Sequence, residues 1–372
     1  MSRRLVLLNP GPVTLTDRVR SALTAGDWCH REPEFAALTT GINRRLAAVY
    51  PDHARDYRAV LLAGSGTAAV EAMLVTFAPP AARTLVLANG VYGERIARML
   101  AAHGRPAEVL RQAWTAPLDL PAIEARLAAD PAISHVAAVH HETTTGRLND
   151  LAALGRLCKS RGVTLLLDAV SSFGGEELAG EDWNLGALAG TANKCLHGVA
   201  GLAFVLAPVP AWERVAGPAV DSVYLHLGPY YQGQHGDGFA PFTLPVQLAL
   251  ALDAALDELA DGGGWQARRQ VYRERAARIH ATLLAGGVAP LLPDGTSSAV
   301  LRAYRLPAGL TYEALHDRLK ADGFIIYAGQ GDLAREIFRI SPMGDIRPAD
   351  LDRLCGLLAD SLRGDPRPVV AP

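Results

Sequence analysis

Between residues 59 and 207 short apolar runs alternate with helix-length segments, and that alternation constrains the fold more than anything else in the chain. The runs are 59–62, 84–88, 135–140, 165–167, 185–189 and 200–207, with helical stretches over 68–77, 94–103, 121–129 and 151–161. Parallel strands cannot be joined by a tight turn and need a crossover, usually a helix. The pattern therefore predicts an α/β fold with a mostly parallel sheet. In such a sheet ligands gather beyond the carboxyl ends of the strands. The polar residues that close each run are thus the candidates for chemistry.

The first run leads into Gly64-Ser65-Gly66-Thr67, and a helix follows. Free N–H groups and the helix dipole make that turn an anion site, with Ser65, Gly66 and Thr67 facing a phosphate, although such turns also merely connect elements. The second run ends in Asn89-Gly90-Val91-Tyr92-Gly93. Glycines on both sides let Tyr92 stack on a heteroaromatic ring, or pack under the turn. The third ends in His141-Glu142-Thr143-Thr144-Thr145-Gly146, whose hydroxyls can meet a ligand oxygen, though threonine is also a good strand residue. Leu165 to Leu167 close on Asp168, and the stretch 185–189 runs into Gly190-Thr191-Ala192-Asn193-Lys194-Cys195. An aspartate that fixes a pyridine-nitrogen proton and a lysine that forms a Schiff base suit pyridoxal phosphate. Singly, Asp168 reads as a strand-end cap and Lys194 as a surface lysine; together with the other turns they favour the cofactor.

Outside this region the chain carries other signals. His30 and Arg31, before a helix over 34–50, form either a solvated turn or part of an anion pocket. Residues 224–239, rich in Gly, aromatics and His, read as a functional flap that holds no metal. Long helices over 244–259 and 265–284 suit a connector, giving a large unit over 1–258 and a small α+β unit over 259–372. Arg339 sits in an apolar strand between Phe338 and Ile340, where burial is costly without an anionic partner. Its fork matches a substrate carboxylate or phosphonate; a structural ion pair to Asp345 or Glu336 is the alternative. The Pro-containing tail 365–372 is expected to fray.

A formal net charge of −2 gives no reason to expect a nucleic-acid or membrane partner. The four cysteines, Cys29, Cys158, Cys195 and Cys355, are scattered without metal or redox spacing and suit a reducing compartment. No apolar run approaches the roughly 20 residues of a membrane span. The N-terminal apolar stretch is too short for a secretory signal, so the expected location is the cytoplasm.

Taken in order, Asn9-Pro10-Gly11-Pro12, the Gly64, Asn89 and His141 turns, Asp168-Ala169-Val170-Ser171-Ser172-Phe173-Gly174-Gly175, Ala192-Asn193-Lys194-Cys195 and Phe338-Arg339-Ile340 resemble the class V, fold-type I, pyridoxal-phosphate aminotransferases. The similarity is greatest to members that move the amino group of 2-aminoethylphosphonate to pyruvate. The resemblance implies that Lys194 binds pyridoxal 5'-phosphate covalently and shuttles a proton, and that Asp168 holds the pyridine-nitrogen proton. It implies Tyr92 and Val170 on the two ring faces, Thr143 beside the ring hydroxyl, and Ser65, Gly66, Thr67 and Asn193 around the phosphate. Thr243 would reach in from a second subunit of a homodimer with a shared active site, and Arg339 would bind the acid group of amino donor and 2-oxo acid acceptor in turn. The segment around His30 and Arg31 is more similar to alanine–glyoxylate and serine–glyoxylate aminotransferases of the same superfamily. Phe242-Thr243-Leu244-Pro245 also departs from the polar sequence expected after the threonine. Both keep a glyoxylate-type enzyme, or one acting on a related aminophosphonate, as alternatives.

Overall fold

In the computed structural model, residues 4–178, 183–217 and 222–362 are described; the tail expected to fray lies outside them. Seven strands form the central sheet. Their spatial order is Tyr57–Gly64, Gly201–Pro208, Leu185–Thr191, Thr164–Asp168, Ile133–Val139, Arg83–Ala88, Ala107–Arg111. Gly201–Pro208 runs antiparallel to both its neighbours, and the remaining pairings are parallel. Six strands therefore point the same way and deliver their carboxyl ends to one edge. Thr164–Asp168 lies at the middle of the sheet, where Leu165, Leu166 and Leu167 are fully buried. Each such side chain stabilises the fold by about 1.5–3 kcal/mol relative to exposure. This apolar anchoring is what fixes Asp168 in place at the strand end.

Helix signals in the sequence locate the crossovers closely. Ser65 caps the Gly66–Phe77 helix, Asp150 caps Leu151–Arg161, and Gly162 ends the latter in the left-handed region at φ 64°. One boundary matters for the site. The helix after Asn89 begins at Val91, so Tyr92 lies in its first turn rather than in the preceding loop.

The flap expected over 224–239 is instead packed structure. It contains a helix, Gly228–His235, and the buried Gln234 amide bonds both Leu61 N–H (2.9 Å) and Leu61 C=O (2.7 Å). His235 Nε2 pairs with Ala59 C=O at 2.8 Å. Tyr57–Gly64 is an edge strand, and these side chains satisfy backbone groups that a neighbouring strand would otherwise take. A composition that reads as mobile therefore seals the sheet edge.

The C-terminal part carries an antiparallel sheet of Arg302–Arg305, Ile337–Ile340 and Tyr327–Ala328. Phe324–Ile325, just before that sheet's Tyr327–Ala328 strand, pairs instead, parallel, with Val6–Leu7. The N-terminal strand, grouped by sequence with residues 1–258, thus belongs to the sheet system of the C-terminal part. Val6, Leu8, Ile279, Leu283, Phe324, Phe338 and Leu354 form a second core there, separate from the one around the main sheet.

Candidate active site

Lys194 follows the Leu185–Thr191 strand in a turn that is held from several sides. Thr191 Oγ1 donates to Asn193 Oδ1 (2.9 Å), and Arg268 Nη1 donates to the carbonyls of Cys195 (2.7 Å) and Leu196 (3.2 Å). Lys194 Nζ donates to the Pro10 carbonyl. Gly11 must be glycine on two counts: its φ is +111°, and a Cβ there would stand 2.5 Å from Lys194 Cδ. Burial is the main cause that brings the Lys194 ammonium down to about 8; the Arg339 charge acts the same way, while Cys195 and Asp168 oppose it. The result is an amine with a substantial neutral fraction near physiological pH.

Asp168 Oδ1 accepts from Val170 N–H at 3.0 Å. Burial pushes its carboxyl up to about 6, against the Val170 hydrogen bond and the positive charges of Arg95 and Lys194. Gly66, Thr67, Val70, Tyr92, Asp168 and Val170 line a cleft that opens to solvent. Only glycine leaves this cradle open at residue 66, since a Cβ there would lie 2.5 Å from Val170 Cγ1. Ser65 Oγ accepts from Ala68 N–H (3.4 Å) and keeps its own proton free to donate.

Two residues that the sequence did not single out act here: Arg95 lines the same cleft, and Glu142 holds the helix that carries Tyr92. The Arg95 guanidinium lies 4.7 Å from the Tyr92 ring centroid and donates to Thr67 Oγ1 at 3.1 Å. Its spacing of i+3 from Tyr92 on one helix was a legible signal. Glu142 had none for its long-range role, because the helix N–H groups it accepts from lie some fifty residues upstream. Its fully buried carboxylate accepts from Tyr92 N–H (3.3 Å), Gly93 N–H (3.4 Å), Thr144 N–H (3.2 Å) and Thr144 Oγ1 (2.6 Å). Thr144 Oγ1 in turn accepts from Val91 N–H at 3.2 Å. The helix that carries Tyr92 has no cap of its own, so the Glu142 turn supplies one and adds a negative charge at the positive end of the dipole. Burial raises Glu142 to about 7, with these hydrogen bonds pulling the other way.

Arg339 is 1% exposed, and neither carboxylate weighed for it is its partner: Asp345 pairs with Arg4, and Glu336 with Arg305. Carbonyls hold it instead. Nε donates to Ala328 (2.8 Å), and Nη1 donates to Thr143 (2.9 Å) and to Gln330 Oε1 (3.2 Å). Its Nη2 has no partner among the described residues. Burial pushes the Arg339 guanidinium below its usual pKa, while Tyr92, Tyr327 and Glu142 lie near enough to counteract that. Arg339 therefore shares one neighbourhood with Tyr92, Thr143 and Lys194.

The other sequence candidates gather elsewhere in the chain. Thr243 is exposed and its Oγ1 meets His30 Nε2 at 3.3 Å. Arg31 donates to the carbonyls of Ala240 (2.9 Å) and Pro241 (3.2 Å). No hydrogen bond or ion pair joins this cluster to Lys194, Asp168 or Arg339 among the described residues.

Pyridoxal phosphate requires an amine for its aldehyde, an acid for its pyridine nitrogen, two walls for its ring and N–H donors for its phosphate. Lys194, Asp168, the Tyr92–Val170 gap and the start of the Gly66–Phe77 helix could meet those needs together. The class is that of the fold-type I pyridoxal-phosphate enzymes. The family model for class V aminotransferases matches residues 45–292. A 2-aminoethylphosphonate–pyruvate transaminase of Vibrio vulnificus (strain YJ016) is 36% identical, with 97% of this chain and 99% of that one covered. One of the same description from Aeromonas hydrophila is 38% identical, covering 97% of each. Among solved structures, alanine–glyoxylate aminotransferase from Nostoc sp. superimposes with a TM-score of 0.89 at 25% identity, over 98% of this chain and 96% of that one. An aspartate aminotransferase from Thermus thermophilus gives 0.87 at 27% identity, over 96% and 99%. This chain belongs to the class V aminotransferases and uses pyridoxal phosphate to pass an amino group from a donor to an oxo-acid acceptor. No helix among the described residues is long and apolar enough to cross a membrane.

Proposed function

We propose that this enzyme moves the amino group of 2-aminoethylphosphonate to pyruvate, yielding phosphonoacetaldehyde and alanine. The observation that carries the reading is Arg339, a buried cation with a free Nη2 edge and no carboxylate partner among the described residues, beside Tyr92 and Lys194. Relatives 34–38% identical over nearly the whole chain bear the name of that activity, which supports it.

Bound pyridoxal phosphate supplies an aldehyde for amines and a ring that withdraws electrons from the attached carbon. Lys194 Nζ holds the cofactor, then acts as the free base that removes a proton from the donor carbon bearing nitrogen. In the second half it returns a proton to C2 of the pyruvate skeleton. Asp168 keeps the pyridine nitrogen protonated; Tyr92 and Val170 confine the ring. Thr143 serves the ring hydroxyl, while Ser65, Gly66, Thr67 and Asn193 bind the phosphate. Arg339 receives the phosphonate of one substrate and the carboxylate of the other, giving ping-pong turnover. The His30, Arg31 and Thr243 cluster serves the partner's site in a homodimer, with Thr243 at its phosphate. The large unit, 1–258 without its N-terminal strand Val6–Leu7, and the small one from 259 onward meet at Arg339.

A second reading, alanine– or serine–glyoxylate transamination, draws on the His30-Arg31 segment. The test is a half-reaction on the yellow enzyme with one amine at a time: 2-aminoethylphosphonate, alanine, serine. Bleaching by the phosphonate that pyruvate then reverses is expected. Bleaching by serine, with the phosphonate inert, would move the function to the glyoxylate branch.

A further inference from the structure

We infer that Gln330 is a specificity-determining residue that lets the acid site distinguish a tetrahedral phosphonate from a planar carboxylate. The inference rests on the substrate reading above and adds a residue to it. Arg339 spends most of its fork on the protein: Nε is taken by Ala328 C=O, and Nη1 by Thr143 C=O and Gln330 Oε1. Only Nη2 is left to bind an anion, so a two-pronged grip through both terminal nitrogens is excluded. Because Arg339 can only donate, the Gln330 amide must present its oxygen to Nη1. The amide nitrogen then stands about 2.2 Å from that oxygen by covalent geometry, so within roughly 5 Å of the fork. Nε2 of Gln330 has no partner among the described residues.

The backbone around Gln330 is rigid. Gly329 N–H bonds Ile337 C=O (3.0 Å), and Gln330 C=O accepts from Leu333 N–H (3.1 Å) as the short Gly331–Leu333 helix begins. A Cβ on Gly331 would lie 2.6 Å from Trp114 Cη2, so the segment rests directly on that ring. A fixed amide donor beside a fixed guanidinium edge gives donors in more than one plane. A carboxylate offers two coplanar oxygens and is satisfied by Nη2 alone. A phosphonate offers a third, out-of-plane oxygen, and Gln330 Nε2 is placed to receive it.

The test uses the full chain carrying pyridoxal phosphate, titrated with ethylphosphonate and with propionate while heat and cofactor absorbance are followed. Gln330→Ala is expected to lower the ratio of phosphonate to carboxylate affinity by about tenfold, the worth of one hydrogen bond to a charged group. Gln330→Glu retains an acceptor for Arg339 Nη1 but replaces the donor with a negative charge that repels a phosphonate more than a carboxylate, and is expected to lower the ratio further. If Gln330 only held Arg339 in place, Gln330→Ala would weaken both ligands equally, and that result overturns the inference. A wild-type enzyme with no preference for ethylphosphonate would overturn the substrate reading itself. Preference kept by both variants would remove Gln330 alone.

Discussion

Adding one methyl group at Gly66 tests whether Val170 packs on the cofactor. The new Cβ would stand 2.5 Å from Val170 Cγ1 and 3.0 Å from Cγ2, both closer than van der Waals contact allows. Val170 cannot easily yield, because a β-branched side chain has few χ1 options. Gly66 does not have a left-handed φ, so the penalty is steric alone. Overpacking of this kind costs about 1–3 kcal/mol. Replacing glycine in a helix returns up to about 1 kcal/mol, less at the first position. The cofactor-free chain should therefore lose at most about 3 kcal/mol in urea unfolding. Val170 driven into the ring space should weaken pyridoxal phosphate by a further ~1–3 kcal/mol, about ten- to a hundredfold in an absorbance titration. The double variant Gly66→Ala/Val170→Ala removes the colliding methyls, and a coupling energy of at least about 1 kcal/mol should appear in the cycle. Unchanged cofactor affinity in Gly66→Ala, with the clash absorbed elsewhere, would refute the placement of Val170.

Lys194→Ala should lose the yellow absorbance of covalently held cofactor and all turnover; a variant that stays yellow after dialysis would displace the central residue of the site. Burial raises Asp168 to about 6 from an unfolded value near 4, so folding binds a proton there, and its contribution fades as pH rises from about 4 to 6. The stability of the cofactor-free chain relative to Asp168→Asn should accordingly fall by up to about 3 kcal/mol across that window. A constant difference would show that Asp168 ionises freely in the fold. Glu142→Ala leaves the Tyr92 and Gly93 N–H groups without acceptors and should cost about 2–4 kcal/mol. A melting temperature within a degree of wild type would mean that water or another side chain caps that helix.

What the sequence determined by itself is the sheet and one edge of the site. Short apolar runs bounded by breakers and alternating with helices bury as strands of one sheet, and the glycine-rich or polar turns after them fall at their carboxyl ends, which is why Ser65, Tyr92, Thr143, Asp168 and Lys194 could be named from local pattern. Pattern failed where long-range contacts set the outcome. The Gly-, His- and aromatic-rich 224–239 segment carries no periodicity to show that Gln234 would seal the edge at Leu61. The capping of the Tyr92 helix by Glu142, and the burial of Arg339 among carbonyls rather than beside Asp345 or Glu336, join residues tens to nearly two hundred positions apart. No local rule encodes such pairs, because hydrogen bonding there is decided by which surfaces the packed core brings together. Residue types were legible in the chain; which atoms remain free for a ligand, Arg339 Nη2 and Gln330 Nε2 among them, was fixed only when tertiary packing used up the rest.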